Sequence, residues 1–123
     1  MKLLIYTGKG DTSIKSIATI SNDFTQRDSI EVYNTPDDLL KRLQVPRGNL
    51  DLILLLIDNQ KDLEDLILLK NMFFNMPIVI VLPDRKKMTI RQGLKFYPRY
   101  IGYADSSLKD VTAVLKKITN TIR

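Results

Sequence analysis

The sequence predicts a three-layer α/β domain: a parallel five-stranded sheet with helices on both faces, built from five successive strand-helix units. Two apolar runs and one rhythm carry the prediction. Within Leu50-Asp51-Leu52-Ile53-Leu54-Leu55-Leu56-Ile57-Asp58-Asn59, six consecutive apolar residues run from Leu52 to Ile57. They are too few to cross a membrane and lack the alternation of a strand with one wet face. A second run, Ile78-Val79-Ile80-Val81-Leu82, lies between Pro77 and Pro83 and is rich in β-branched residues. Strands of this kind are buried on both faces, so helices must cover them above and below. The rhythm is the alternation of strand-like and helix-like segments along the 123 residues.

Taken in order, Lys2-Leu3-Leu4-Ile5-Tyr6 is the first strand. Thr7 to Ser13 turns into a helix whose apolar face is Ile14, Ile17 and Ala18, with Asp11 or Thr12 as N-cap. Ser29-Ile30-Glu31-Val32-Tyr33 alternates, as an exposed edge strand does. Thr35-Pro36-Asp37-Asp38 is a helix start: Thr caps, Pro suits the first helical position, and the acids favour the positive end of the dipole. Leu39, Leu40 and Leu43 give that helix its buried face, and Val45-Pro46-Arg47-Gly48 ends it. After the central strand, a helical run is expected from Asp62 through Leu63, Leu66, Ile67 and Leu69 to about Asn71–Phe74. A weakly specified helix containing Gly93 is expected within Met88–Phe96, and an alternating edge strand at Arg99-Tyr100-Ile101-Gly102-Tyr103-Ala104. Asp105-Ser106-Ser107 with Asp110 resembles a capping box before Leu108, Val111, Leu115, Ile118 and Ile122.

Uniformly apolar strands one, three and four must be interior, and alternating strands two and five must be edges. With right-handed crossovers the order is 2-1-3-4-5, the flavodoxin-like arrangement, with its switch point between strands one and three. Loops beginning at Thr7, Asp58 and Pro83 meet there.

Composition narrows the chemistry. The 123 residues are expected to form one domain, residues 1–123, standing alone or as the N-terminal module of a longer protein. A chain without a spanning segment or signal peptide is expected in the cytoplasm. It has no cysteine and no histidine, which removes disulfides, thiolate nucleophiles, the usual zinc sites and the commonest general base. No metal or cofactor is implied, and no enzymatic activity. The net charge is +5, concentrated late: Arg85, Lys86, Lys87, Arg91, Lys95 and Arg99, then Lys109, Lys116, Lys117 and Arg123, against only Asp105 and Asp110 after Asp84. Without interleaved aromatics this reads first as a solvated face, with nucleic acid reached only through an associated domain.

Gly8-Lys9-Gly10-Asp11-Thr12-Ser13 has the composition of a phosphate-binding turn, so a small-ligand, nucleotide or phosphate-binding flavodoxin-like domain is one reading. The spacing does not meet the P-loop pattern, and glycines beside capping residues also serve a tight turn.

The plan, with Leu50-Asp51-Leu52-Ile53-Leu54-Leu55-Leu56-Ile57 and Met76-Pro77-Ile78-Val79-Ile80-Val81 as its best local matches, resembles the receiver domain of bacterial response regulators. The resemblance implies two-component signalling and four chemical positions. An acidic pair after strand one holds Mg²⁺, an aspartate ending strand three accepts phosphoryl, a hydroxyl ends strand four and a lysine ends strand five. At those positions stand Thr7-Gly8, Leu56, Leu82 and Tyr103. The expectation is an atypical receiver-like domain that signals or scaffolds without phosphorylation, through a protein partner or as a homodimer. Its switch-point pocket would comprise Thr7, Gly8, Lys9, Asp11, Leu56, Asp58 and Leu82. Asp58 is a phospho-acceptor only if the register slips; otherwise it is a capping or loop carboxylate. The face that receivers use for docking corresponds to Arg91, Lys95, Tyr100, Tyr103 and Lys109.

Overall fold

The computed structural model describes residues 2–8, 29–45, 50–73 and 76–103, and residues 110, 111, 113–115 and 117. The expected first helix and the expected cap at Asp105-Ser106-Ser107 lie outside the described residues. Five strands form one parallel sheet in the order β2-β1-β3-β4-β5, with β1 Lys2–Thr7, β2 Ser29–Tyr33, β3 Leu50–Leu56, β4 Ile78–Leu82 and β5 Tyr100–Tyr103. The order deduced from which strands alternate is the order observed.

Between the strands lie α1 Pro36–Gln44, α2 Gln60–Ile67 and α3 Lys87–Leu94, and a short 3₁₀ helix, Lys70–Phe73, precedes β4. The start of α1 follows its sequence: Thr35 Oγ1 accepts from the Asp38 backbone N–H at 3.2 Å, and Pro36 opens the helix. Helix α2 differs from expectation. It begins at Gln60, because Asn59 Oδ1 accepts from the Asp62 N–H at 2.9 Å, and it ends at Ile67. The leucine run beyond tightens into the 3₁₀ turn, which brings Phe73 into the core rather than continuing the expected helix.

Side chains of each interior strand alternate between two apolar clusters, one per sheet face. Leu4, Tyr6, Ile53, Leu55, Ile57, Ile78, Ile80 and Leu82 pack with Leu39 and Leu43 of α1, Leu63 and Leu66 of α2, and Phe96. Leu3, Ile5, Leu52, Leu54, Leu56, Val79 and Val81 pack with Val111 and Leu115 on the opposite face. Double-sided burial explains the unbroken apolar interiors of β1 from Leu3 to Tyr6, of β3 from Leu52 to Leu56 and of β4 throughout, with Lys2, Asp51 and Thr7 toward the strand ends. The helix after β4 lies close against its strand at Gly93: a β-carbon there would stand 3.1 Å from both methyl carbons of Leu82. That close approach explains a glycine inside a helix.

The edge strand β2 is fastened by charge. Glu31 accepts from Arg42 Nε of α1 at 2.7 Å and from the Tyr33 hydroxyl at 2.7 Å, and pairs with Lys2 Nζ of β1 at 2.9 Å. The Arg42 hydrogen bond is the main reason its carboxyl is held down at about 2, with Lys2 and Tyr33 adding to the effect.

Candidate functional site

The switch point is at the carboxyl ends of β1 and β3, where Thr7 is opposite Leu56 in the parallel register. Both are buried, and Thr7 Oγ1 donates to the Gly8 carbonyl at 3.2 Å. Leu56 is 5% exposed and belongs to the apolar cluster with Val81, Val111 and Leu115. At the next position out, Ile57 donates its N–H to the Val81 carbonyl at 3.0 Å, so β3 stays bound to β4 as it leaves the sheet.

Gly8 and Asp58 meet. A β-carbon on Gly8 would overlap Asp58 Oδ2, and would stand 2.7 Å from Asp58 Cγ and 2.8 Å from Asp62 Oδ2. The two carboxylates therefore fill the volume that a side chain at position 8 would take. Asp58 is a loop carboxylate two residues beyond β3, while the cap of the following helix is the neighbouring Asn59. Of the two placements expected for Asp58 if it is no phospho-acceptor, capping or loop carboxylate, the cap is taken by Asn59 and the loop placement is left.

Two further groups complete this corner. Burial, above all, raises Asp62 above the ordinary carboxylate range; the Asp58 and Asp65 charges add to it, and Tyr6 partly offsets it. Tyr6 is fully buried, and its hydroxyl lies close enough to Asp62 for that charge to act on it. It makes no hydrogen bond of standard geometry among the described residues. Burial first, then Asp62, push its ionisation well above the ordinary tyrosine value. Neither residue was a candidate from sequence. Tyr6 reads there as one more strand residue and Asp62 as a helix start; only the meeting of the first turn of α2 with the carboxyl end of β1 brings them together.

The remaining expected positions are placed as follows. Leu82 is opposite Tyr103 in the β4–β5 register, on the face away from Leu56 and beneath Gly93. Lys9 and Asp11 lie outside the described residues, as does the rest of the Gly8–Ser13 turn. Asp84, after β4, accepts from the Lys86 backbone N–H at 2.9 Å. Its carboxyl is held below the usual range, mainly by a hydrogen bond from the Thr89 hydroxyl, which in turn accepts from the Gln60 side-chain amide. This Gln60-Thr89-Asp84 chain joins the starts of α2 and α3. Thr89 is fully buried, so the hydroxyl needs those partners.

On the expected docking face, Arg91 and Lys95 are exposed, while Tyr100 and Tyr103 are half-buried. Tyr100 packs on the cluster with Val111 and Tyr103 on the opposite one. The Tyr103 ring carries the Arg85 guanidinium 4.1 Å from its centroid, a cation–π contact at the position where receivers have lysine. Lys109 lies outside the described residues. Met88 and Leu94 are large apolar residues exposed on α3. Among the described residues no cluster of acids is arranged to hold a metal ion, and no helix is long and apolar enough to cross a membrane.

No protein-family model and no curated protein sequence matches the chain. Solved structures do. A two-component response regulator from Clostridium difficile is similar with a TM-score of 0.74 at 18% identity, covering 100% of this chain and 98% of that one. A response regulator receiver protein from Pseudoalteromonas atlantica gives 0.77 at 8% identity, with 100% of both chains covered. A protein described as a pilus assembly protein, from Burkholderia thailandensis, gives 0.69 at 10% identity, with 98% of both covered. The chain has the receiver fold.

Proposed function

We propose that the chain is a receiver-like signalling or scaffolding domain that works without phosphoryl transfer and acts through contacts with a protein partner or a second copy of itself. One observation carries this reading. At the four positions where the receiver resemblance calls for chemistry stand Thr7-Gly8, Leu56, Leu82 and Tyr103, and Leu56 is packed inside an apolar cluster. Phosphoryl transfer to a carboxylate requires cationic groups to neutralise the charge that develops on the transferred oxygens. Here the hydroxyl position is an apolar core residue and the lysine position is a tyrosine under an arginine. The similarity to a protein described as acting in pilus assembly supports an assembly or positioning role for this fold.

The test is incubation of the whole chain with acetyl phosphate and Mg²⁺, followed by intact-mass measurement. The expected result is an unchanged mass. A phosphorylated product mapped to Asp58 would overturn the proposal and establish the active-receiver reading. The second reading, a nucleotide or phosphate at the Gly8–Ser13 turn, is disfavoured by the Asp58 and Asp62 carboxylates against Gly8, which repel an anion at that end of the turn. A thermal-shift screen with nucleotides, flavins and phosphate separates the two, because a ligand bound only by the native state raises the unfolding temperature.

A further inference from the structure

At the pole opposite the switch point, a basin of about 900 Å³ opens beside the amino ends of β4 and β5. It lies between the 3₁₀ helix and the segment leaving α3. Its apolar lining includes Phe73 and Phe96, both buried and packed edge to face at 5.8 Å. Lys70, Lys95 and Arg99 line it as well, and no carboxylate does among the described residues. The sequence makes this a regional property: there is no Asp or Glu between Asp65 and Asp84, nor between Asp84 and Asp105. Among the described residues no acid in the basin's walls neutralises its three cations.

The rim holds a second, independent feature. Tyr97 is 90% exposed and has φ +51, in the left-handed region that a non-glycine residue adopts at a cost of roughly 1 kcal/mol or more. It occupies the position just past the end of α3, its N–H bonded to the Leu94 carbonyl at 3.0 Å, where glycine is the relaxed choice. A large aromatic is thus held in water on a backbone that would prefer no side chain. Leu94, next to Lys95 in the chain, is 52% exposed.

We infer that this basin docks an acidic segment of a partner protein, an aromatic or aliphatic anchor entering over Phe73 and Phe96 while flanking carboxylates pair with Lys70, Lys95 and Arg99. The inference rests on the partner-binding reading above and names the partner's chemistry and its place. A small anion would occupy only a fraction of the basin and leave Tyr97 and Leu94 in water, whereas a polypeptide crossing the rim covers them. Charge complementarity without internal neutralisation also makes the attraction long-ranged, steering an acidic segment to this pole.

The test uses the whole chain and a fluorescein-labelled peptide, Glu-Asp-Phe-Glu-Asp-Leu, in a polarisation titration. Binding is expected, weakening as salt rises. Lys95→Glu or Arg99→Glu should each weaken it about tenfold or more, while Lys41→Glu on α1 leaves it unchanged. Tyr97→Gly should abolish most binding with an unfolding midpoint at or above that of the parent chain, which separates a docking role from a folding defect. Failure of the peptide to bind, indifference to Lys95→Glu, or equal displacement by inorganic phosphate or ATP would overturn the inference; the last would make the basin a small-anion site. An unphosphorylated chain that also ignores the peptide defeats this inference alone. A chain that takes up phosphoryl and binds the peptide defeats only the phosphorylation-independent reading.

Discussion

Leu56 stands at the position where the receiver resemblance calls for an aspartate, so restoring the acid is an informative perturbation. Leu56→Asn removes a buried apolar side chain, worth about 2 kcal/mol, and strands a polar group in its place for about 1 to 3 more, so a loss of roughly 3 to 5 kcal/mol is expected. Leu56→Asp adds the cost of keeping a carboxylate charged beside Val81, Val111 and Leu115. If burial raises that carboxyl by two to three units, the further loss at neutral pH is about 3 to 4 kcal/mol. The sign follows from linkage. A carboxyl whose folded value lies above its unfolded value of about 3.9 destabilises fully above the folded value, and the penalty fades as pH falls toward the unfolded one. The Asp and Asn variants should therefore converge near pH 4 and separate by neutral pH. Urea denaturation of both, across that range, provides the comparison, and the difference between variants cancels contributions common to both. Equal stability of the two variants at pH 7 would refute the claim that this is a dry core position.

Three further outcomes are expected. Glu31, held from 4.5 down to about 2, contributes stability that is complete above pH 4.5 and is lost as pH falls toward 2. Its ceiling is about 3 kcal/mol and, with Lys2 partly exposed, Glu31→Gln should cost about 1 to 2 kcal/mol at neutral pH and flatten the acid limb of a denaturation series. Gly8→Ala forces the Asp58 and Asp62 carboxylates aside and should destabilise by about 1 to 3 kcal/mol in the same assay, Gly8→Asp by more at neutral pH; an unchanged midpoint for the alanine variant would contradict the described packing. Tyr6→Phe removes the hydroxyl that partly offsets the burial of the Asp62 charge, so it should destabilise by up to about 1 kcal/mol at neutral pH in the same denaturation assay, a loss that fades as Asp62 becomes protonated. The same variant should raise the Asp62 titration seen by carboxyl NMR, because Tyr6 now lowers it.

The architecture was legible because its signals are local and repeated. Six apolar residues in a row at Leu52 to Ile57 leave no wet face, and alternation at Ser29 to Tyr33 requires one, so strand order followed from strand type. Boundaries set by side-chain geometry were less legible: the leucines after Ile67 keep helical spacing, yet the chain tightens there to deliver Phe73 to the core. At the switch point the substitutions were visible residue by residue, but the convergence of Gly8, Asp58, Asp62 and Tyr6 was not. It depends on how closely the first turn of α2 approaches the carboxyl end of β1, and no spacing along the chain encodes that distance. The basin was half visible, since the cationic run was plain, whereas its junction with Phe73 and Lys70 required the fold.

The clamp on β2 has a consequence beyond stability. A sheet with two open borders invites another strand to continue it, and unlimited continuation is how soluble domains become fibres. Here one border is five residues long with an ionised Glu31 bound between Lys2 and Arg42, and the other is four residues long, interrupted by Gly102 and preceded by Pro98. Neither offers a long, flat ladder for annealing. Strand-by-strand continuation of the sheet is thereby discouraged at both of these edges, which leaves helices and loops as the surfaces open to contact.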